Sequence, residues 1–344
     1  MKEKEITIYD LALKLNISPA TVSRGLKDHP SINKATKKKI YDLAKEMGYR
    51  SNNFASNLRK QRTNTIGVIA PRLNSNFMST AIAGIENVAN KEGYNLIISQ
   101  SLESYKKEMA NAQTMFNNRV DGLLVSLAYD TENIDHFEPF FKKNIPLLFF
   151  DRVVEHKDCT SILIDNRKAA YEATTHLIQQ GCKKIVHISA IPKRNVYADR
   201  LKGYKDALED HNIEFSNENV ILGNLSQEAG VSAADTIKAM KKMPDGVFVS
   251  NDFCAVVCMQ ALKQAGFKIP GDIAFVGFNN DPVSTVIEPN LSTINYPGYQ
   301  MGEVAAQNLI NHLNGAFTLE ITNRIILRSD LIIRESSKRL SCFF

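Results

Sequence analysis

The residues best suited to chemistry are polar side chains placed directly after short apolar runs. Asp151 follows LLFF, Ser126 follows GLLV, Asn251-Asp252 follow VFVS, and Asn279-Asn280-Asp281 follow AFVGF. A carboxylate accepts hydrogen bonds, an amide both donates and accepts, and a hydroxyl can do either. Such a set suits the grasp of a small polar molecule rather than bond making. Taken singly, a polar residue after an apolar strand is usually a turn or a helix cap. Recurrence at several strand ends is what points to convergence. Two arginines, Arg194 and Arg200, bracket the segment RNVYADR. The motifs of catalysis and cofactor binding are missing: the chain has no GxGxxG after a strand, GxxxxGK[ST], HExxH, GxSxG or CxxC. Cys254 and Cys258 lie one helical turn apart with no histidine nearby, and read as core residues. The sequence therefore predicts a binding protein without cofactor or metal, not an enzyme.

A second kind of chemistry is concentrated at the N-terminus. Residues 1–62 hold 14 Lys and Arg against 6 Asp and Glu, whereas the whole chain of 344 residues carries a net charge of +5. The positive excess thus lies in the first sixth of the chain, as in a module for a polyanion.

These residues need elements to position them. Thr7 and Asp10 stand in capping-box register before Ile8, Leu11, Ala12 and Leu15, an apolar helix face. Ser18 can cap a second helix with Pro19 in its first position; Val22 and Leu26 point inward and Ala20, Thr21, Ser23 and Arg24 outward. A third helix carries Ile40, Leu43, Ala44 and Met47, stops at Gly48, and turns Lys37, Lys38 and Lys39 outward. Two short helices joined by a tight turn and followed by a third make a helix-turn-helix, whose second helix enters the major groove of DNA. In the polar, basic stretch that follows, Phe54, Ala55 and Leu58 are spaced for one helical turn, flanked by Arg59, Lys60 and Arg62. An exposed leucine among basic residues suits a wedge into a base step of the minor groove.

Beyond residue 64, apolar runs of strand length (Ile66–Ala70, Leu96–Ser99, Leu123–Ser126, Leu147–Phe150, Ile185–Ile188, Val247–Ser250, Ile273–Phe278) alternate with helical patterns such as Ala81–Glu92, Ala169–Gln180 and Val256–Gly266. That alternation predicts parallel sheets buried on both faces. The length suits two doubly wound lobes in sequence, divided near Asp151–Cys159, with binding residues at the carboxyl ends of the strands. The expected organisation is a helix-turn-helix head over 1–50, a hinge over 51–64, a two-lobed α/β body over 65–335 that binds effector and dimerises, and a tail over 336–344. The tail has no heptads, so it offers no coiled coil.

The string from TIYDLALKLNISPATVSRGL through MGYR and NLRKQRTNTIGVIAP resembles the head and hinge of the LacI-type repressors, and the likeness runs on to about residue 335. The resemblance implies a periplasmic-binding-protein-like body and a homodimer that reads near-palindromic double-stranded operator DNA and responds to a small, sugar-like effector. It implies that Leu58 wedges into the operator centre and that Pro19, Ala20 and Arg24 face base edges. Thr7, Ser18, Thr21, Ser23, Lys38, Ala55 and Arg59 complete the expected DNA-binding set. It also implies an effector cleft lined by Phe77, Ser126, Asp151, Arg194, Arg200, Asn251 and Asn279, with Asn279 where the family often has aspartate. A transport-associated sugar-binding protein would share the body. The basic head, and an N-terminus without an apolar leader, argue against that alternative. No apolar run approaches the roughly 18 residues a membrane span needs. Five irregularly spaced cysteines fit reduced thiols, and the expected compartment is the cytoplasm.

Overall fold

The computed structural model describes residues 6–49, 62–316, 319 and 324–339. The chain divides into two units, 1–63 and 64–344.

Among the described residues of the first unit the helices are α1 (Ile8–Leu15), α2 (Pro19–Leu26) and α3 (Lys34–Glu46). The capping box forms as the sequence predicts: the Asp10 carboxylate accepts from the Thr7 N–H at 2.7 Å, and the Thr7 hydroxyl accepts from the Asp10 N–H at 3.4 Å. Asn16, in the left-handed region at φ 52°, ends α1. Ser18 accepts from the Thr21 N–H at 3.1 Å and Asn33 from the Thr36 N–H at 2.8 Å, so each helix has a side-chain cap at its start. Leu11, Ala12, Val22, Ile40, Leu43 and Ala44 are buried together as one core. Lys37 differs from expectation. Its ammonium turns back to Asp28, 2.6 Å from the carboxylate, because that carboxylate lies within reach across the loop between α2 and α3.

The second unit holds two six-stranded sheets. In chain order its elements are β1 (Thr65–Ala70), α4 (Asn76–Lys91), β2 (Asn95–Gln100), α5 (Tyr105–Asn117), β3 (Gly122–Val125), α6 (Glu138–Lys142), β4 (Leu147–Phe150), β5 (Thr160–Ile164), α7 (Asn166–Gln179), β6 (Ile185–Ser189), α8 (Asn195–Asp210), β7 (Val220–Leu222), α9 (Gln227–Lys238), β8 (Gly246–Val249), α10 (Asp252–Gln264), β9 (Ala274–Asn279), α11 (Val283–Val286), β10 (Ser292–Asn295), α12 (Gly298–Leu313), β11 (Arg324–Leu327) and β12 (Leu331–Ile332). The first sheet runs β11-β5-β4-β3-β1-β2, all parallel; the second runs β12-β10-β9-β8-β6-β7, parallel except for β12. In both, the order reverses beside the first strand of the lobe, which is where doubly wound sheets open a crevice.

The lobes do not divide at 151–159. Thr160–Ile164 is a fully buried strand that pairs with β4, Phe150 opposite Ile162, so the first crossing falls after Ile164. Nor are the lobes strictly sequential: α12 returns after β10 to pack on α4, and β11 joins the first sheet before β12 rejoins the second. The α4–α12 contact depends on missing side chains, since a Cβ on Gly302 would lie 1.9 Å from the Ala81 carbonyl oxygen and one on Gly84 2.1 Å from that of Tyr299. The packed body also extends beyond residue 335. Ser336 donates to the Phe275 carbonyl at 2.7 Å and accepts from the Ser292 N–H at 2.8 Å, and Arg339 reaches the Pro270 carbonyl at 3.1 Å. Among the described residues no helix is long and apolar enough to cross a membrane.

Candidate functional site

Two surfaces carry the expected chemistry. In the first unit, Ala20 and Arg24 are exposed on α2, while Pro19, Thr21 and Ser23 are half-buried beside them. The Ser18 and Thr21 hydroxyls lie 2.9 Å apart at the start of α2, and Thr7 closes the start of α1. Helix starts with short polar caps present N–H groups to anions, as phosphate contact requires. Lys38 and Lys39 stay exposed on α3. The readings at Ala55, Leu58 and Arg59 lie outside the described residues.

In the second unit a cleft of about 650 Å³ opens at the carboxyl ends of the strands, between the lobes. Phe77, Asp151, Arg200, Asn251 and Asn279 line it. Asp151 is held by β4 and β5: it follows Phe150 at φ 61°, and its N–H donates to the Ile162 carbonyl at 3.0 Å. That left-handed turn, unusual for a non-glycine residue, puts the carboxylate at the crevice floor. Tyr296, from the crossing after β10, donates to Oδ1 at 2.7 Å, and Ser126 donates to Oδ2 at 3.2 Å. Burial raises the Asp151 pKa above the usual carboxylate range, against the opposing pull of Arg152 and the two hydroxyls.

Arg200 enters from the first half of α8. Its Nε donates to Asn166 Oδ1 at 2.9 Å, its Nη1 donates to the Ser250 carbonyl at 2.8 Å, and its guanidinium carbon lies 3.5 Å from the Phe278 ring centroid. The residue is 3% exposed. Burial lowers its pKa without threatening a charge as persistent as a guanidinium's. A stacked and doubly hydrogen-bonded guanidinium is fixed in direction, which is what oriented binding needs.

Two expected residues do not line the cleft. Ser126 is fully buried behind Asp151 and acts on its carboxylate. Arg194, just before α8, turns instead to the Thr131 carbonyl in the other lobe and borders a separate hollow of about 160 Å³. Its neighbour Asn195 borders the same hollow and donates to the Asp151 carbonyl at 3.1 Å. Asn251 lines the wall, but its amide is engaged: Oδ1 caps α10 through the Cys254 N–H at 2.8 Å and Nδ2 donates to the Leu225 carbonyl at 3.2 Å. Phe77 stacks on Tyr296 at 4.2 Å, so that tyrosine occupies one face of its ring.

Sequence reasoning passed over several cleft residues. Arg152 sits beside Asp151, donating to Glu103 at 2.6 Å and to the Tyr197 hydroxyl of the opposite lobe at 3.1 Å. Arg72 approaches Glu103 at 3.4 Å. Tyr296 completes the polar wall beside Asp281, which the sequence already places after AFVGF. The DR pair at 151–152 was a usable signal for Arg152; Tyr296 had none locally.

Comparison with known proteins agrees with this anatomy. Residues 7–52 match the family described as bacterial regulatory proteins, lacI family, and residues 174–337 match the periplasmic binding protein-like domain. The HTH-type transcriptional regulator RegA of Clostridium saccharobutylicum is 32% identical over 337 residues, 96% of this chain and 99% of the relative. The fold matches the lac repressor dimer bound to operator and an anti-inducer (TM-score 0.85, 22% identity, 97% of this chain and 99% of that one). It also matches the regulator CelR in its cellobiose complex (TM-score 0.72, 23% identity, 96% and 100%). The chain belongs to the lacI family of bacterial regulatory proteins and is a DNA-binding transcription regulator with a helix-turn-helix head and a two-lobed, periplasmic-binding-protein-like body.

Proposed function

We propose that this regulator is a cytoplasmic repressor that binds a near-palindromic operator as a homodimer and is controlled by a neutral saccharide in the cleft. The charge balance of the cleft carries the reading. Arg72, Arg152 and Arg200 face Glu103, Asp151 and Asp281, so the wall has no net charge to offer an anion when all six are ionised. The arginines and carboxylates suit vicinal hydroxyls, which a guanidinium or a carboxylate can hold two at a time. Phe77 supplies an apolar edge for a sugar ring. The cellobiose held by CelR and the operator bound by the lac repressor dimer, both on this fold, support the same reading.

The test is a thermal-shift panel of D-glucose, D-ribose, cellobiose, D-glucuronate and glucose 6-phosphate, followed by operator binding. A neutral member raises the melting temperature and changes operator affinity. Arg200→Ala abolishes that response and leaves operator binding intact, because the head has its own core. Response to the anions alone would overturn the neutral reading. Loss of operator binding in a folded Arg200→Ala protein would remove Arg200 from the effector cleft.

A further inference from the structure

Three carboxylates reach the cleft, and their hydrogen-bonding states differ. Glu103 is engaged at both oxygens, Oε1 by Arg72 and Oε2 by Arg152 and the Tyr129 N–H. Asp151 has a hydroxyl donor on each oxygen. Asp281 does not. Its Oδ1 accepts from Asn76 Nδ2 of the opposite lobe at 3.0 Å, while among the described residues Oδ2 has just the Asn279 amide at 3.5 Å, the outer limit of a hydrogen bond. Asp281 is 8% exposed, so water supplies little of the missing solvation. A largely buried carboxylate needs more donors than that.

The loop cannot relax to find them. Asn279 and Asn280 both have positive φ, 113° and 57°. They are held there from behind: the Asn280 N–H donates to Thr293 Oγ1 at 3.2 Å, Arg334 donates to Asn280 Oδ1 at 2.7 Å, and the Asp281 N–H donates to the buried Asp252 carboxylate at 2.7 Å. Backbone strain kept in place by so many partners marks a position that serves binding. Asn279 Oδ1 has no partner among the described residues, so the two side chains present adjacent acceptors to the cleft.

We infer that Asp281 is a specificity-determining residue of the cleft, accepting a hydrogen bond from one ligand hydroxyl through Oδ2 while Asn76 holds Oδ1 from across the lobes. The inference rests on the saccharide reading above. It assigns to Asp281 a direct contact, and it ties that contact to the bridge between lobes, because one carboxylate serves both.

The test is isothermal titration of the full chain with the panel sugar that gives the largest thermal shift, together with its series of monodeoxy analogues. Wild type is compared with Asp281→Asn, which keeps the size of the side chain and one acceptor. The expected loss for the parent sugar is on the order of 10- to 100-fold, that of a hydrogen bond to a charged group. One deoxy analogue, the one lacking the hydroxyl that Asp281 holds, binds both proteins alike. A variant that binds the parent sugar as wild type does overturns the inference, and so does an equal loss for every analogue, which would mark a structural effect. If wild type binds no sugar on the panel, the saccharide reading itself fails, and this inference with it.

Discussion

The Tyr296 hydroxyl donates to Asp151 Oδ1 at 2.7 Å while its ring stacks on Phe77 at 4.2 Å, so one side chain joins the crossing after β10 to the floor and the apolar edge of the cleft. The hydroxyl stabilises the ionised carboxylate against the burial that raises its pKa.

Tyr296→Phe separates the two roles, since it removes the hydrogen bond and keeps the ring. The expected stability loss is about 1–3 kcal/mol, that of a buried carboxylate deprived of a donor. It is read as a lower denaturation midpoint at unchanged slope. The acidic limb of binding of the proposed saccharide moves to higher pH, because Asp151 takes up a proton more readily. An acidic limb at the wild-type position would show that Asp151 ionisation does not govern binding.

Asp252 gives a pH dependence whose sign can be worked out. Burial raises its carboxyl to about 7, opposed by the Thr293 hydroxyl and assisted by Asp281. In the unfolded chain it returns to about 4. Its contribution is fully present below about pH 4, where both states are protonated. The contribution falls as pH rises through about 7, because the unfolded state releases its proton first. The span is on the order of 4 kcal/mol at most. Buried His187, lowered to about 3, acts in the opposite sense, losing stability as pH falls from its unfolded value near 6.5. The measurement is therefore a difference: urea unfolding of the body in wild type and Asp252→Asn at pH 4.5, 6 and 7.5. The wild-type advantage should shrink steadily across that series. Parallel curves would mean that Asp252 does not titrate there.

What could be read ahead of the structure follows from the range of the interactions. Helix starts such as Thr7–Asp10 and Ser18–Pro19 are local, and the capped helices form as expected. The central strands are continuous apolar runs and were equally plain. β10 is not legible in the sequence because Ser292 and Thr293 look like loop residues; both are fully buried, satisfied by Ser336, Arg334 and Asp252. The lobe boundary is hidden in the sequence for a related reason: the polar pair Thr160-Ser161 opens β5, where it is buried. In the cleft, position after a strand identified Asp151 and Asn279. It could not show that Ser126 points behind the carboxylate, or that Arg194 reaches Thr131 instead, because those directions depend on partners 25 and 63 residues away.

The head offers the last prediction, because its exposed cations differ in what they can reach. Arg24 is exposed on α2 with no hydrogen bond or ion pair among the described residues, and Lys38 is exposed on α3. Lys37 is already paired with Asp28. Pro19 and Ala20 beside Arg24 have no side-chain donor or acceptor, so we propose that direct reading by α2 rests on Arg24 and on apolar contact with thymine methyls. Arg24→Ala should relax base preference at one position of each half-site by about 1–3 kcal/mol. Lys38→Ala should weaken binding about equally on operator and random DNA and reduce the salt slope by about one charge. Lys37→Ala should change that slope less, since its ammonium is neutralised within the head. Competition binding at two salt concentrations separates the three variants. A preserved base preference in Arg24→Ala would move sequence reading away from α2, and an equal change of slope in both lysine variants would show that Lys37 leaves Asp28 to meet a phosphate.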